Sequence, residues 1–205
     1  MNGPIIAERG ALIKLGKCKQ IELVPGSEEY FSGLKRSLSE ILTKEKISFL
    51  YGDAISLLTE RPKAAEYVLI NNYRQRSLGF WGRSTDKDGE ILLNNRVVAN
   101  LLNMLKPKLD GSPFELVLDF YKEYGIFIAS PKLVNKREGT KKLMEEMGLK
   151  EIGVIGDSTT DIVGRDIAVH YCVGNTGTEL TNVSDYISEK SFTMGVVDIL
   201  QRIAT

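Results

Sequence analysis

A chain of 205 residues with 42% apolar and 26% charged content has the make-up of an ordinary globular protein, long enough for one good core or a core plus a small second module. Its 27 basic and 27 acidic side chains cancel, so no global field steers it toward nucleic acid or an anionic membrane. No apolar stretch approaches the roughly 20 residues of a membrane span, and the first residues lack the basic and apolar regions of a signal peptide, so a cytoplasmic protein with neither partner is expected.

The stretch Gly3-Pro4-Ile5-Ile6-Ala7-Glu8-Arg9-Gly10-Ala11-Leu12-Ile13 reads as two short apolar strands about a glycine-containing turn, a hairpin near a sheet edge. From Ser27 to about Lys44, the residues Tyr30, Phe31, Leu34, Leu38, Ile41 and Leu42 recur at helical spacing. Ala65 to Ile70 reads as a strand. Asn94-Asn95 followed by Val97, Val98, Leu101, Leu102 and Leu105 predicts a helix that stops before Pro107. Strands over Phe114 to Phe120 and Gly125 to Ile128 flank a turn at Lys122-Glu123-Tyr124, which makes the middle of the chain a compact α+β module. Its exit runs through Ala129-Ser130-Pro131. Beyond Pro131 helices and strands alternate: helix Glu138 to Met147, strand Ile152 to Ile155, helix Asp161 to Ile167, strand Tyr171 to Val173, strand Tyr186-Ile187 and helix Val196 to Ile203. That alternation predicts an α/β, doubly wound, Rossmann-like parallel sheet.

Chemistry concentrates in Ile155-Gly156-Asp157-Ser158-Thr159-Thr160-Asp161-Ile162. An apolar strand ends in Gly-Asp, a second aspartate follows four residues later, and Ser158 or Thr159 can cap what comes next. In open α/β sheets ligands bind at the carboxyl ends of strands, and two anionic oxygens converging there suit Mg2+ better than zinc. The structural alternative makes Asp157 a turn residue and Asp161 a first-turn acid favoured by the helix dipole. Cys18 and Cys172 have no companion at metal or disulfide spacing and are expected as half-buried thiols. His170, the one histidine, is expected to be a structural or surface residue just before a strand, which argues against histidine-based catalysis.

Three stretches together resemble one family: Gly3 to Ala11; Gly125-Ile126-Phe127-Ile128-Ala129-Ser130-Pro131 with Lys136-Arg137-Glu138-Gly139; and Ile155 to Ile162 followed by Val173-Gly174-Asn175. The chain resembles the Mg2+-dependent phosphatases of the haloacid dehalogenase superfamily, in the archaeal phosphoglycolate phosphatase-like branch. The resemblance implies a core from residues 1–13 and 129–205 with an α+β cap inserted over 14–128. It implies Mg2+ as cofactor with Asp157 as the direct metal ligand and Asp161 at the metal through water, Lys136 holding the transferring phosphoryl group, and a small phosphorylated metabolite as substrate. Lys136 competes with Lys132, Lys141, Lys142 and Lys150 nearby, since most lysines only solvate a helix face. Asn175 either orients site groups or forms a turn before Thr176-Gly177. Arg9 and Thr160 stand where the family usually has Asn.

The resemblance also carries a gap. The family's nucleophile is an aspartate in Asp-x-Asp-x-Thr after an apolar strand, and no stretch of this chain fits that pattern. Asp86-Lys87-Asp88 follows Arg83-Ser84-Thr85 and reads as a hairpin turn, and Asp119, after Leu116-Val117-Leu118, has Tyr121 two residues on. The expectation is a core incomplete at its amino-terminal part, through a truncated gene product or a lost nucleophile, with unpaired strand edges that favour a homodimer or aggregation. A regulatory protein that binds metal and phosphate without turnover is the alternative. Tyr73, Arg74, Arg76, Phe80 and Trp81 are candidates for a substrate-facing patch, against the alternative that they cover the cap's own sheet.

Overall fold

The computed structural model describes residues 4–7, 10–15, 19–52 and 65–204. Two compact units result, Met1–Leu23 with Val134–Thr205, and Val24–Leu133. The boundaries at 13/14 and 128/129 expected from sequence are displaced, because strand pairing carries residues 19–22 into the first unit and 126–131 into the second.

In the 24–133 unit, helices α1 (Ser27–Lys44) and α2 (Asn95–Asp110) share an apolar core with one sheet. Its strands are β4 (Ser48–Tyr51), β5 (Glu66–Ile70), β6 (Leu78–Thr85), β7 (Ile91–Leu93), β8 (Leu116–Tyr121) and β9 (Ile126–Pro131), in the order β4-β5-β6-β9-β8 with β7 on β6. Phe31, Leu34, Leu38 and Leu42 of α1 and Val98, Leu101 and Leu105 of α2 meet Val68, Ile70, Phe80 and Phe127 of the sheet. Each such side chain contributes about 1.5–3 kcal/mol by leaving water. Strand alternation turns Tyr67 and Leu69 to the opposite face, where they pack with Leu50 and Trp81. This unit is the α+β module read from the sequence.

One boundary differs in kind. The helix α2 runs through Pro107 to Asp110, where the sequence suggested a stop. Proline removes one N–H near the helix end, but Leu105 and Leu109 on either side of it are both buried in the same core. Gly111 N–H then closes the helix on the Pro107 carbonyl at 3.2 Å.

The other unit opens with an antiparallel sheet, β1 (Ile5–Ala7), β2 (Leu12–Leu15) and β3 (Lys19–Glu22), so the expected hairpin has a third strand. Then follow α3 (Lys136–Met147), β10 (Ile152–Gly156), a 3₁₀ turn (Thr159–Asp161), β11 (Ala168–Cys172), the single turn α4 (Thr178–Thr181), β12 (Tyr186–Ile187) and α5 (Phe192–Ile203). Strands β10, β11 and β12 pair in parallel in that order, with Ile152 opposite Ala168 and Tyr171 opposite Tyr186. This is the Rossmann-like α/β core expected, and among the described residues β10 pairs only with β11.

The helix expected over Asp161 to Ile167 does not form. The 3₁₀ turn ends at Asp161, and Gly164 takes a positive φ of 104°, a left-handed conformation that breaks a right-handed helix. Competing partners hold the segment open. Val163 N–H donates to His170 Nε2 at 3.2 Å, and Arg137 forks Asp166 at 2.8 and 2.6 Å while also donating to the Val163 carbonyl. His170 lies inside β11, fully buried and structural. Cys172 is a free, fully buried thiol rather than a half-buried one, while Cys18 and Arg9 lie outside the described residues. No described helix is long and apolar enough to cross a membrane.

Candidate phosphate and metal site

Asp157 is the first residue beyond β10, and the 3₁₀ turn brings Asp161 back over the strand end. Gly156 permits this: a Cβ there would lie 2.7 Å from the Asp161 carboxyl carbon. One Asp161 oxygen, Oδ2, accepts the backbone N–H of Asp157 at 3.1 Å and of Ser158 at 3.2 Å, and the Ser158 hydroxyl at 3.2 Å. The other, Oδ1, takes the Lys136 ammonium, which also donates to Thr160 Oγ1 at 3.3 Å.

Lys136 reaches this point because it occupies the first position of α3. Asn135 caps that helix by accepting the Glu138 N–H at 2.9 Å, and Gly148 ends it at φ 65°. Of the lysines that competed for the role, Lys141 and Lys142 pair with glutamates of the same helix and Lys132 with Glu115. Burial would raise the Asp161 carboxyl, but the Lys136 ammonium and the N–H groups of Asp157 and Ser158 outweigh it and hold the pKa below the ordinary value.

The two aspartates are thus unlike. Asp161 is committed to four donor groups, whereas the exposed Asp157 carboxylate has no partner among the described residues. No group of three or more His, Cys, Asp or Glu side chains poised for a metal occurs among the described residues. Mg2+ keeps several waters and takes one or two carboxylates plus substrate oxygens, so a single open carboxylate in a solvent-facing pocket fits it. Asp157 would hold the ion directly. Asp161 would fix the loop that presents it.

Asn175 turns away from this loop and accepts the Phe192 N–H at 2.8 Å, pinning the start of α5. Phe192 was not foreseen from sequence. No spacing or motif marks it, and its importance rests on contacts between segments far apart in the chain. The aromatic and basic patch weighed in the other unit does not hold together as a binding surface: Phe80 is core, Arg76 is 2% exposed and pairs with Glu28 at 2.7 Å, and Trp81 packs against the far face of the sheet.

Comparison with known proteins gives this geometry a context. A phosphoglycolate phosphatase of Saccharolobus solfataricus is 35% identical over 71 residues, spanning 33% of this chain and 31% of that protein. Among solved structures, a Thermotoga maritima protein matches with a TM-score of 0.60 at 17% identity, covering 98% of this chain and 76% of that one. A Thermoplasma acidophilum protein matches at 0.58 and 18% identity, over 98% and 72% of the two chains. A haloacid dehalogenase-like hydrolase from Bacteroides thetaiotaomicron matches at 0.57 and 16% identity, over 98% and 77%. The fold is that of the haloacid dehalogenase-like hydrolases. The resemblance read from the sequence is borne out at that level, and no family model matches the chain. Asp157 and Asp161 follow the carboxyl end of β10, which pairs in parallel with β11, and Lys136 meets Asp161 there.

Proposed function

We propose that this chain binds a small phosphomonoester together with Mg2+ and belongs to the phosphatase chemistry of its fold, through an aspartyl-phosphate whose nucleophile comes from a further segment of polypeptide. The observation that carries the reading is the Lys136–Asp161 pair beside the open Asp157 carboxylate. A lysine point charge on one side and a divalent ion on the other would neutralise a phosphoryl group, which is most of what a protein contributes to its transfer. Bound Mg2+ would act as the Lewis acid on phosphoryl oxygen. Lys136 would donate to the oxygens, and Asp161 would hold Lys136 and the 157–161 loop in register through the Asp157 and Ser158 N–H groups it accepts. The name of the archaeal relative makes phosphoglycolate the first ester to try.

A second reading, ligand binding without turnover, is favoured by one observation. Asp86 accepts the N–H groups of Asp88 and Glu90 at 2.9 and 2.8 Å and so serves a hairpin turn between β6 and β7, where an Asp-x-Asp spacing would otherwise suggest a nucleophile. Two assays separate the readings. Mg2+ with inorganic phosphate should raise the thermal midpoint of the chain, as any ligand bound only by the folded state does, and Lys136→Met should remove the shift. Phosphate release from a generic monoester once a nucleophile-bearing segment is joined to the chain, lost in Asp157→Asn, would establish turnover, whereas release by this chain alone would refute a nucleophile borne elsewhere. A wild-type midpoint that ignores both ligands refutes the proposal.

A further inference from the structure

A pocket of about 440 Å³ opens beside the carboxylate loop, lined by Ile155, Asp157, Asp161, Val173, Phe192 and Val196 among others. Its wall of interest is Phe192. That residue is 71% exposed, an unusual state for an aromatic side chain, and its backbone is left-handed at φ 51°. A bulky residue held in that region is strained, and such outliers persist where surrounding structure over-determines them, often at ligand sites.

Two features fix it. The Asn175 side chain holds the Phe192 N–H at 2.8 Å, and Gly195 lets α5 close onto the end of β11, since a Cβ there would lie 2.8 Å from Val173 Cγ1. The lining combines two carboxylates, Asp157 and Asp161, with the apolar side chains of Phe192, Val196, Val173 and Ile155. A phosphate group with its cation satisfies only the carboxylate part of that lining. A wholly polar ester group such as a short carboxylic acid leaves the apolar side chains wet and brings a negative charge toward two carboxylates.

We infer that Phe192 is a specificity-determining contact, and that this pocket favours phosphate monoesters whose organic group presents an aromatic or flat apolar face to it. The inference rests on the phosphate site proposed above and names its substrate class. Stacking on one exposed ring would favour an aryl over a comparable polar ester by about threefold to tenfold.

The test is equilibrium binding by calorimetry, with Mg2+, of inorganic phosphate, phosphoglycolate and phenyl phosphate to wild type, Phe192→Ala and Phe192→Gly. Both variants remove an exposed side chain, and glycine also suits the left-handed backbone, so at least one should fold. The expected result is tighter binding of phenyl phosphate than of phosphoglycolate by wild type, a preference abolished in both variants, and inorganic phosphate affinity unchanged throughout. Equal affinity for the two esters in wild type, or a preference that survives both substitutions, overturns this inference while leaving the phosphate site standing. Failure of inorganic phosphate to bind wild type overturns the site itself and this inference with it.

Discussion

Replacing Asp161 by alanine separates the structural from the chemical part of the carboxylate loop. The substitution strips an anionic acceptor from the N–H groups of Asp157 and Ser158 and from the Ser158 hydroxyl, and leaves Lys136 without its carboxylate. Loss of a side chain that caps a turn costs about 1 kcal/mol, up to about 2 in tight sites. The pair with Lys136, whose side chain is 42% exposed, adds at most about 1 kcal/mol. The total is about 1–3 kcal/mol, less than full desolvation of two donors would cost, because water reaches the loop once the carboxylate is gone. With a urea slope of about 1–2 kcal/mol per M for a unit of this size, the midpoint of its unfolding should fall by about 0.5–3 M. Asp161→Asn keeps an acceptor for the backbone and should lose about half as much. The pH dependence has a definite sign. Asp161 titrates below its ordinary value, so its contribution is complete above the unfolded pKa of about 3.9 and is lost as pH falls through the lower folded value. The gap between wild type and Asp161→Ala should therefore be full at pH 7 and close in acid below about pH 4. A midpoint for Asp161→Ala within about 0.2 M of wild type at pH 7, by far-UV circular dichroism, would refute the assignment of Asp161 as the residue that holds the loop together, since a solvated acid costs about nothing to remove.

Two further outcomes follow from groups away from the loop. Asp166 is held at about 2 by its hydrogen bonds to Arg137, so carbon-detected NMR should find it ionised well below the range of ordinary carboxylates, with the Arg137 pair complete above about pH 3.9 and lost as pH falls through about 2; Arg137→Ala should return the carboxyl toward 3.9. Pro107→Ala should stabilise the 24–133 unit by about 1–2 kcal/mol, because it restores a helical N–H donor without disturbing the buried Leu105 and Leu109, and an unchanged or lowered unfolding midpoint would show that the proline is accommodated without cost.

How much of this could be read from the chain depended on the range of the interactions involved. Helix α1 and the strands β5, β8, β9 and β10 were legible within a few residues because their apolar periodicity is local. So was the placement of Asp157 and Asp161 at a strand's carboxyl end, since Gly156 and Ser158 announce a tight turn. The extension of α2 past Pro107 was hidden, because a breaker residue outweighs a weak local signal while burial of Leu109 in a core assembled from distant segments reverses the balance. The helix expected from Asp161 to Ile167 failed for the same kind of reason. Arg137 and His170, 26 and seven residues from Val163, supply the partners that hold the segment open. Strands β4, β6 and β7 escaped notice because β6 carries two glycines and β4 and β7 are only four and three residues long.

The unequal pair of aspartates shows why a spacing identifies a site more readily than it assigns roles within it. Gly-Asp followed by a second aspartate four residues on brings both carboxylates to one strand end, and the family resemblance ranks Asp157 as the direct ligand and Asp161 as one acting through water, without saying what sets them apart. In the fold, the second carboxylate is drawn inward by two backbone N–H groups and a hydroxyl, all within its own tight turn, and Lys136 then meets it from α3. Those donors lower its basicity and occupy its lone pairs, which makes it a poorer metal ligand and a better anchor. The same contacts leave the exposed Asp157 carboxylate without a partner among the described residues. Asp161 therefore cannot release its donors to a cation without unmaking the turn that presents Asp157.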